Sequence, residues 1–123
     1  MQERAQALAA RGDVVGATRL MDEFLAAHDG DWGSWLYLAG LHARLGRTAP
    51  AVAAYQASAR QLEAAGRYER ARGSLQQALR LAPDDETLLR EIHRIEDLAH
   101  GLREVPPPPP EPSVPPARAP RRA

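Results

Sequence analysis

Cysteine is missing from all 123 residues of the chain, and so are lysine and asparagine. Without thiols there are no disulfides, thiolate metal sites or cysteine nucleophiles, so side-chain packing alone must hold the fold. Aromatic residues are few, with one Phe, three Tyr and two Trp. Much of the apolar content is Ala and Leu, which favour helix, whereas the β-branched and aromatic residues that favour strands are scarce. No run of about eighteen apolar residues occurs, which excludes a membrane-spanning helix. The first ten residues lack the basic start and apolar centre of a secretory leader, so a cytoplasmic location is expected. The formal net charge is zero, which gives neither nucleic acid nor an anionic membrane an electrostatic reason to bind. All sixteen basic residues are Arg, a bias consistent with a GC-rich bacterial genome.

Proline divides the chain. Nine of the eleven prolines fall between Pro106 and Pro120, and the run Pro106 to Pro110 excludes helix and favours an extended, solvated polyproline II segment. The organisation expected is a helical domain over 1–104 and a disordered proline-rich tail over 105–123. Residues 1–104 hold thirteen Arg against fifteen acids, a balance of about −2, and the tail restores +2. The tail suits a spacer, with Arg118, Arg121 and Arg122 giving its end a weak preference for acidic surfaces. Pro-x-x-Pro registers at Pro107, Pro109 and Pro112 make a ligand for an aromatic groove the other use of it.

Upstream, apolar residues recur at helical spacing between short glycine-containing turns, and six helices are predicted. The first spans about Gln2 to Arg11 and stops at Gly12. The second carries Val14, Ala17, Leu20, Met21, Phe24 and Leu25 on one face. The third, from Trp32 to Leu45, starts at Asp31 as N-cap and puts Trp35, Leu38, Ala39 and His42 on one face. The fourth, the longest expected, takes Thr48 as N-cap, tolerates Pro50 in its first turn and ends at Gly66. The fifth, from Tyr68 to Leu81, buries Tyr68, Ala71, Leu75, Ala78 and Leu79, and Pro83 closes it. The sixth opens on Asp84, Asp85 and Glu86, which suit the positive helix end, and runs to about His100 before Gly101.

Self-comparison gives the most specific signal. Gly12 recurs as Gly46, Ala17 as Ala51 and Met21 as Tyr55, each 34 residues later, which is the period of the tetratricopeptide repeat. Trp35, Leu38, Ala39, Gly46, Ala51 and Tyr55 occupy the places of that family's W, L, G, turn glycine, A and F. The stretch from Gly66 through Tyr68, Ala71, Leu75 and Ala78 to Pro83 resembles the second half of a further repeat. The chain thus resembles a tetratricopeptide-repeat protein, which implies an all-α array of helix pairs, an α-solenoid, in which small residues let helices approach and neighbours share one core. One interval departs: Gly46 to Gly66 is 20 residues rather than 34. The segment from Thr48 to Ala65 must therefore serve as second helix of one repeat and first helix of the next, with Tyr55 claimed by both.

The resemblance also implies function: a scaffold or adaptor whose first helices line a concave groove for a partner polypeptide. That face would present Gln2, Gln6, Leu36, Tyr37, Gly40 and Arg44, continued by Gln56 and Arg60. Leu36 and Tyr37 offer apolar contact, Gly40 leaves room for a ligand backbone, and Arg44 and Arg60 suit a carboxylate. Family members that clamp the carboxylate terminus of heat-shock chaperones use Lys and Asn, which this chain does not have, so that co-chaperone role is not expected. On the sixth helix Leu88, Ile92, Ile95, Ala99 and Leu102 form a short heptad seam. It suits packing on the fifth helix as a terminal cap better than a homo-oligomer contact, the alternative role. His93 and His100 lie seven apart without a ligand motif around them, and Asp29-Gly30-Asp31 lacks the acidic ladder of a calcium loop, so no metal is expected. With no phosphate loop, no nucleophile elbow, four Ser and three Thr, neither a cofactor nor enzyme activity is expected.

Overall fold

The computed structural model describes residues 2–28 and 30–103. The tail from 105 to 123, with its Pro-x-x-Pro registers and its three arginines, lies outside the described residues, as do Asp29 and the side chain of Leu102. Six helices follow one another with no strand among the described residues: α1 (Gln2–Ala10), α2 (Val14–Ala27), α3 (Trp32–Arg44), α4 (Thr48–Ala64), α5 (Tyr68–Leu81) and α6 (Glu86–Arg103). Each packs chiefly on its sequence neighbours, as expected of a solenoid whose thin hairpins share their cores.

Three turns have the same backbone. At Gly12 the glycine N–H donates to Ala9 O and Asp13 N–H to Leu8 O, both at 2.9 Å. Gly46 and Arg47 repeat the pair onto Ala43 and His42, and Gly66 and Arg67 repeat it onto Glu63 and Leu62. This is the Schellman closure, which needs left-handed backbone at one residue; the three glycines adopt φ of 88°, 72° and 76°. The α1–α2, α3–α4 and α4–α5 hairpins are therefore alike, while α2–α3 and α5–α6 are joined by different loops. Helix α4 both enters and leaves through the within-pair turn, which gives the double duty that the 20-residue interval demands a backbone basis.

The residue after each turn glycine is the N-cap of the next helix. Asp13 fills that place for α2 and accepts from Gly16 N–H at 2.8 Å, a cap the residue pattern did not single out. Asp31 caps α3 as expected, accepting from Ser34 N–H at 2.8 Å. Thr48 does not cap α4: the turn puts Arg47 in the cap position without a side-chain bond, and Thr48 is already helical. Nor is α4 the longest helix, since α6 has 18 residues to its 17. Helix α6 runs through Gly101 because that glycine stays outside the positive-φ region that ends the helices at Gly12, Gly46 and Gly66. Asp85 accepts from Leu88 N–H at 3.2 Å in its first turn.

The core runs along the array through Ala17, Met21, Leu38, Ala39, Leu41, Tyr55, Leu62, Ala71, Leu75, Leu88 and Ile95. Helix α4 buries seven residues, Ala51, Val52, Ala54, Tyr55, Ser58, Ala59 and Leu62, because α3 covers one side of it and α5 another. Of the residues expected to be buried on α5, Ala71, Leu75 and Ala78 are, whereas Tyr68 and Leu79 are half-exposed.

Candidate functional site

Side chains that reach past the next helix divide the array into two sides. The Arg70 guanidinium carbon of α5 lies 5.1 Å from the ring centroid of Trp32 on α3. On the opposite side Gln56 of α4 donates to Glu91 of α6 at 3.0 Å, and Gln61 of α4 donates to Gly30 O, beyond the end of α2, at 2.6 Å. Helices α3 and α5 thus neighbour one another on one side, and α2, α4 and α6 on the other.

On α3, Leu36, Tyr37, Gly40 and Arg44 line an open concavity of about 340 Å³ together with Leu41, all five from that helix. Their spacing along one stripe of α3 brings them to a common face. A β-carbon at Gly40 would meet nothing within 4 Å, so the floor is open there. Burial raises the Tyr37 phenol pKa and the nearby Arg44 charge lowers it, with a net upward shift; the group is a neutral hydrogen-bond donor at physiological pH. A second concavity of about 250 Å³ begins at Leu36 and continues over Trp32, Leu62, Arg70, Gly73, Ser74 and Gln77. Arg70, Gly73 and Gln77 form a stripe on α5 that sequence reasoning missed, because α5 reads as a second helix and was expected to face away. Their spacing of three and four was the available signal. Gln77 is held by Tyr55, whose hydroxyl donates to its Oε1 at 3.3 Å.

The other expected groove residues lie elsewhere. Gln56 is engaged with Glu91, and Arg60 lines a cleft on the α2–α4 side with Asp22, Trp35, His42 and Pro50. As partner of α3, α4 belongs to the opposite side from the α3 stripe, so its outward residues cannot extend that wall. Gln2 is half-buried and Gln6 exposed on α1, and neither lines the two α3–α5 concavities.

His42 and Trp35 share the wall of the α2–α4 cleft, in keeping with their expected proximity. The imidazole is buried, its Nε2 lies 3.4 Å from Asp22 Oδ1, and its Nδ1 has no partner. His28 stacks on Phe24 with ring centroids 4.9 Å apart. No cluster of three or more His, Asp or Glu suited to a metal occurs among the described residues.

The α6 seam is occupied within the chain. Leu88, Ile92, Ile95 and Ala99 are all at least nine-tenths buried, and α5 is the helix they pack against. Among the described side chains, the large apolar residues left exposed on α6 are Leu89 and Leu98.

A bidentate ion pair fastens α6 to α4, with Arg94 Nη2 donating to Glu63 Oε1 at 2.9 Å and Nη1 to the other oxygen. The hydrogen bonds from Arg94 hold the Glu63 carboxyl below its ordinary pKa. A carboxylate depressed on folding stabilises above its unfolded pKa, and the contribution disappears as pH falls through the folded value. Glu63→Gln should therefore cost about 0.5–1 kcal/mol at pH 7, given that Arg94 is half-exposed. Urea titrations at descending pH should show that difference closing below roughly pH 4; a difference independent of pH would remove the pair from the stability of α6.

Residues 52–95 match the family model described as Tetratricopeptide repeat. Over that segment the chain is similar to a tetratricopeptide repeat. The match opens inside α4, spans α5 and extends into α6. The turns at Gly46 and Gly66 that bound α4 share the same backbone hydrogen bonds. No curated protein matches the chain.

Proposed function

We propose that this repeat protein is an adaptor that docks an extended segment of a protein partner along the α3–α5 side. Tetratricopeptide repeats serve protein–protein interaction, and the family match supports that general role here. The observation that carries the finer reading is the pair of concavities meeting at Leu36, one walled by Tyr37 and Arg44 and the other by Trp32 and Arg70. Half-buried aromatic rings beside arginines are the groups that supply most binding energy at interfaces. The open space at Gly40 and Gly73 lets a ligand backbone come close. Nothing in this arrangement calls for catalysis, a cofactor or a metal, and no helix among the described residues is long and apolar enough to cross a membrane. In this reading residues 1–104 form the binding domain and 105–123 a tether.

Affinity capture from a lysate of the source organism, with wild type and the Tyr37→Ala, Arg44→Glu variant run in parallel, tests the proposal. Loss of a hot-spot aromatic and reversal of a contact charge together should weaken binding by about a hundredfold or more, with far-UV circular dichroism unchanged because Arg44 is exposed and Tyr37 half-exposed. A partner retained equally by both proteins would remove the groove from the interaction. Self-association through α6 is disfavoured by the buried seam.

A further inference from the structure

The arginines of the repeat protein are not all balanced alike. Arg72 pairs with Glu69 and Glu96, Arg90 with Glu86 and Arg94 with Glu63, and these pairs cluster on α6 and the helices that hold it. Along the α3–α5 groove the pattern reverses. No Asp or Glu lines either concavity, Arg70 rests on Trp32, and neither Arg44 nor Arg80 has a carboxylate partner among the described residues. Because α3, α4 and α5 join by successive hairpins, α3 and α5 run parallel. Arg44 and Arg80, both in last turns, thus fall at one end, and Trp32 with Arg70 at the other. The Arg80 charge reaches the Tyr55 phenol, which is bonded to Gln77 of the groove wall.

Helix electrostatics explain part of this and leave the rest. Cations at the ends of α3 and α5 suit their C-terminal dipoles, but Arg70 is in the first turn of α5, where the dipole disfavours a cation. Composition does not explain it either, since the chain as a whole is formally neutral. The groove is a local excess of positive charge around an apolar floor.

We infer that the groove selects acidic segments, in which an apolar side chain seated against Leu36 and Tyr37 is flanked by carboxylates for Arg70 on one side and Arg44 on the other. This rests on the groove reading above and names the class of its partner. The spacing follows from geometry. From Trp32 to Arg44 the helix advances about 18 Å at 1.5 Å per residue, and an extended peptide covers that length in about five or six residues. The two acidic positions should therefore be separated by that number.

Panning a phage-displayed library of random twelve-residue peptides against the immobilised full-length chain tests this. Enriched peptides should carry more Asp and Glu than Lys and Arg, with acids five or six positions apart around an apolar residue. Their synthetic versions should lose about tenfold or more in affinity with Arg44→Glu or Arg70→Glu, and should weaken as salt is raised from about 0.1 to 0.5 M. Circular dichroism of both variants should match wild type. Enrichment of basic or neutral peptides that still require Tyr37 would overturn the acidic class while leaving the groove intact. Failure to enrich peptides, or enriched peptides indifferent to Tyr37→Ala, would overturn both.

Discussion

Ile95→Asp is expected to release α6 from the array and to lower the unfolding free energy by about 3–5 kcal/mol or more. Ile95 is only 1% exposed, with Leu88, Ile92 and Ala99 also buried, so the substitution removes apolar packing and buries a carboxylate in the apolar core. A lone buried charge is more costly than the lost contacts, and it escapes by protonation or by local unfolding. Local unfolding is the easier course here because α6 lies at one end of the helix series and packs chiefly on α5. Circular dichroism should show a loss of helix comparable to the 18 residues of α6, and amide exchange should become fast there first. If the variant instead kept full helicity while its sedimenting mass fell, the seam would be a contact between two copies.

Tyr55→Ala should cost about 3–5 kcal/mol and should loosen two helix pairs at once. The ring is 7% exposed, and it answers to the aromatic position of the α3–α4 pair and to the leading position of the α4–α5 pair. Tyr55→Phe separates the hydroxyl from the ring: it removes only the 3.3 Å bond to Gln77, for which about 0.5–1.5 kcal/mol is expected. Native-state hydrogen exchange on the alanine variant should show protection falling together in α3 and α5. A fall confined to α5 would mean that the pairs are energetically separate and that α4 serves only one of them.

The helices themselves were legible because every signal agreed. Apolar residues at helical spacing, a left-handed glycine after α1, α3 and α4, and Pro83 after α5 set the boundaries to within a few residues. Where type and position disagreed, position prevailed. Thr48 is a good capping residue one place too late, since the turn at Gly46 makes Arg47 the cap, and Gly101 is a helix-ending type with helical backbone. The lining of the two concavities was half legible for a related reason. Leu36, Tyr37, Gly40 and Arg44 belong to one helix, so spacing alone places them together. Gln56 and Arg60 required knowing which way α4 faces, and one-dimensional spacing does not contain that once a helix plays two parts. The same ambiguity hid Arg70, Gly73 and Gln77.

The shared helix also bears on how such a chain can vary. An ordinary amphipathic helix keeps a solvent face on which substitutions cost little. In α4, Ala51, Val52, Ala54, Tyr55, Ser58, Ala59 and Leu62 are all buried, with Ser58 Oγ 3.4 Å from Ser74 Oγ of α5, so two neighbours constrain its residues from different directions. A change that improves the fit to α3 alters the surface offered to α5. Drift in this helix therefore requires matched changes in both flanking helices, and the compact array trades the independence of its repeats for a shorter chain.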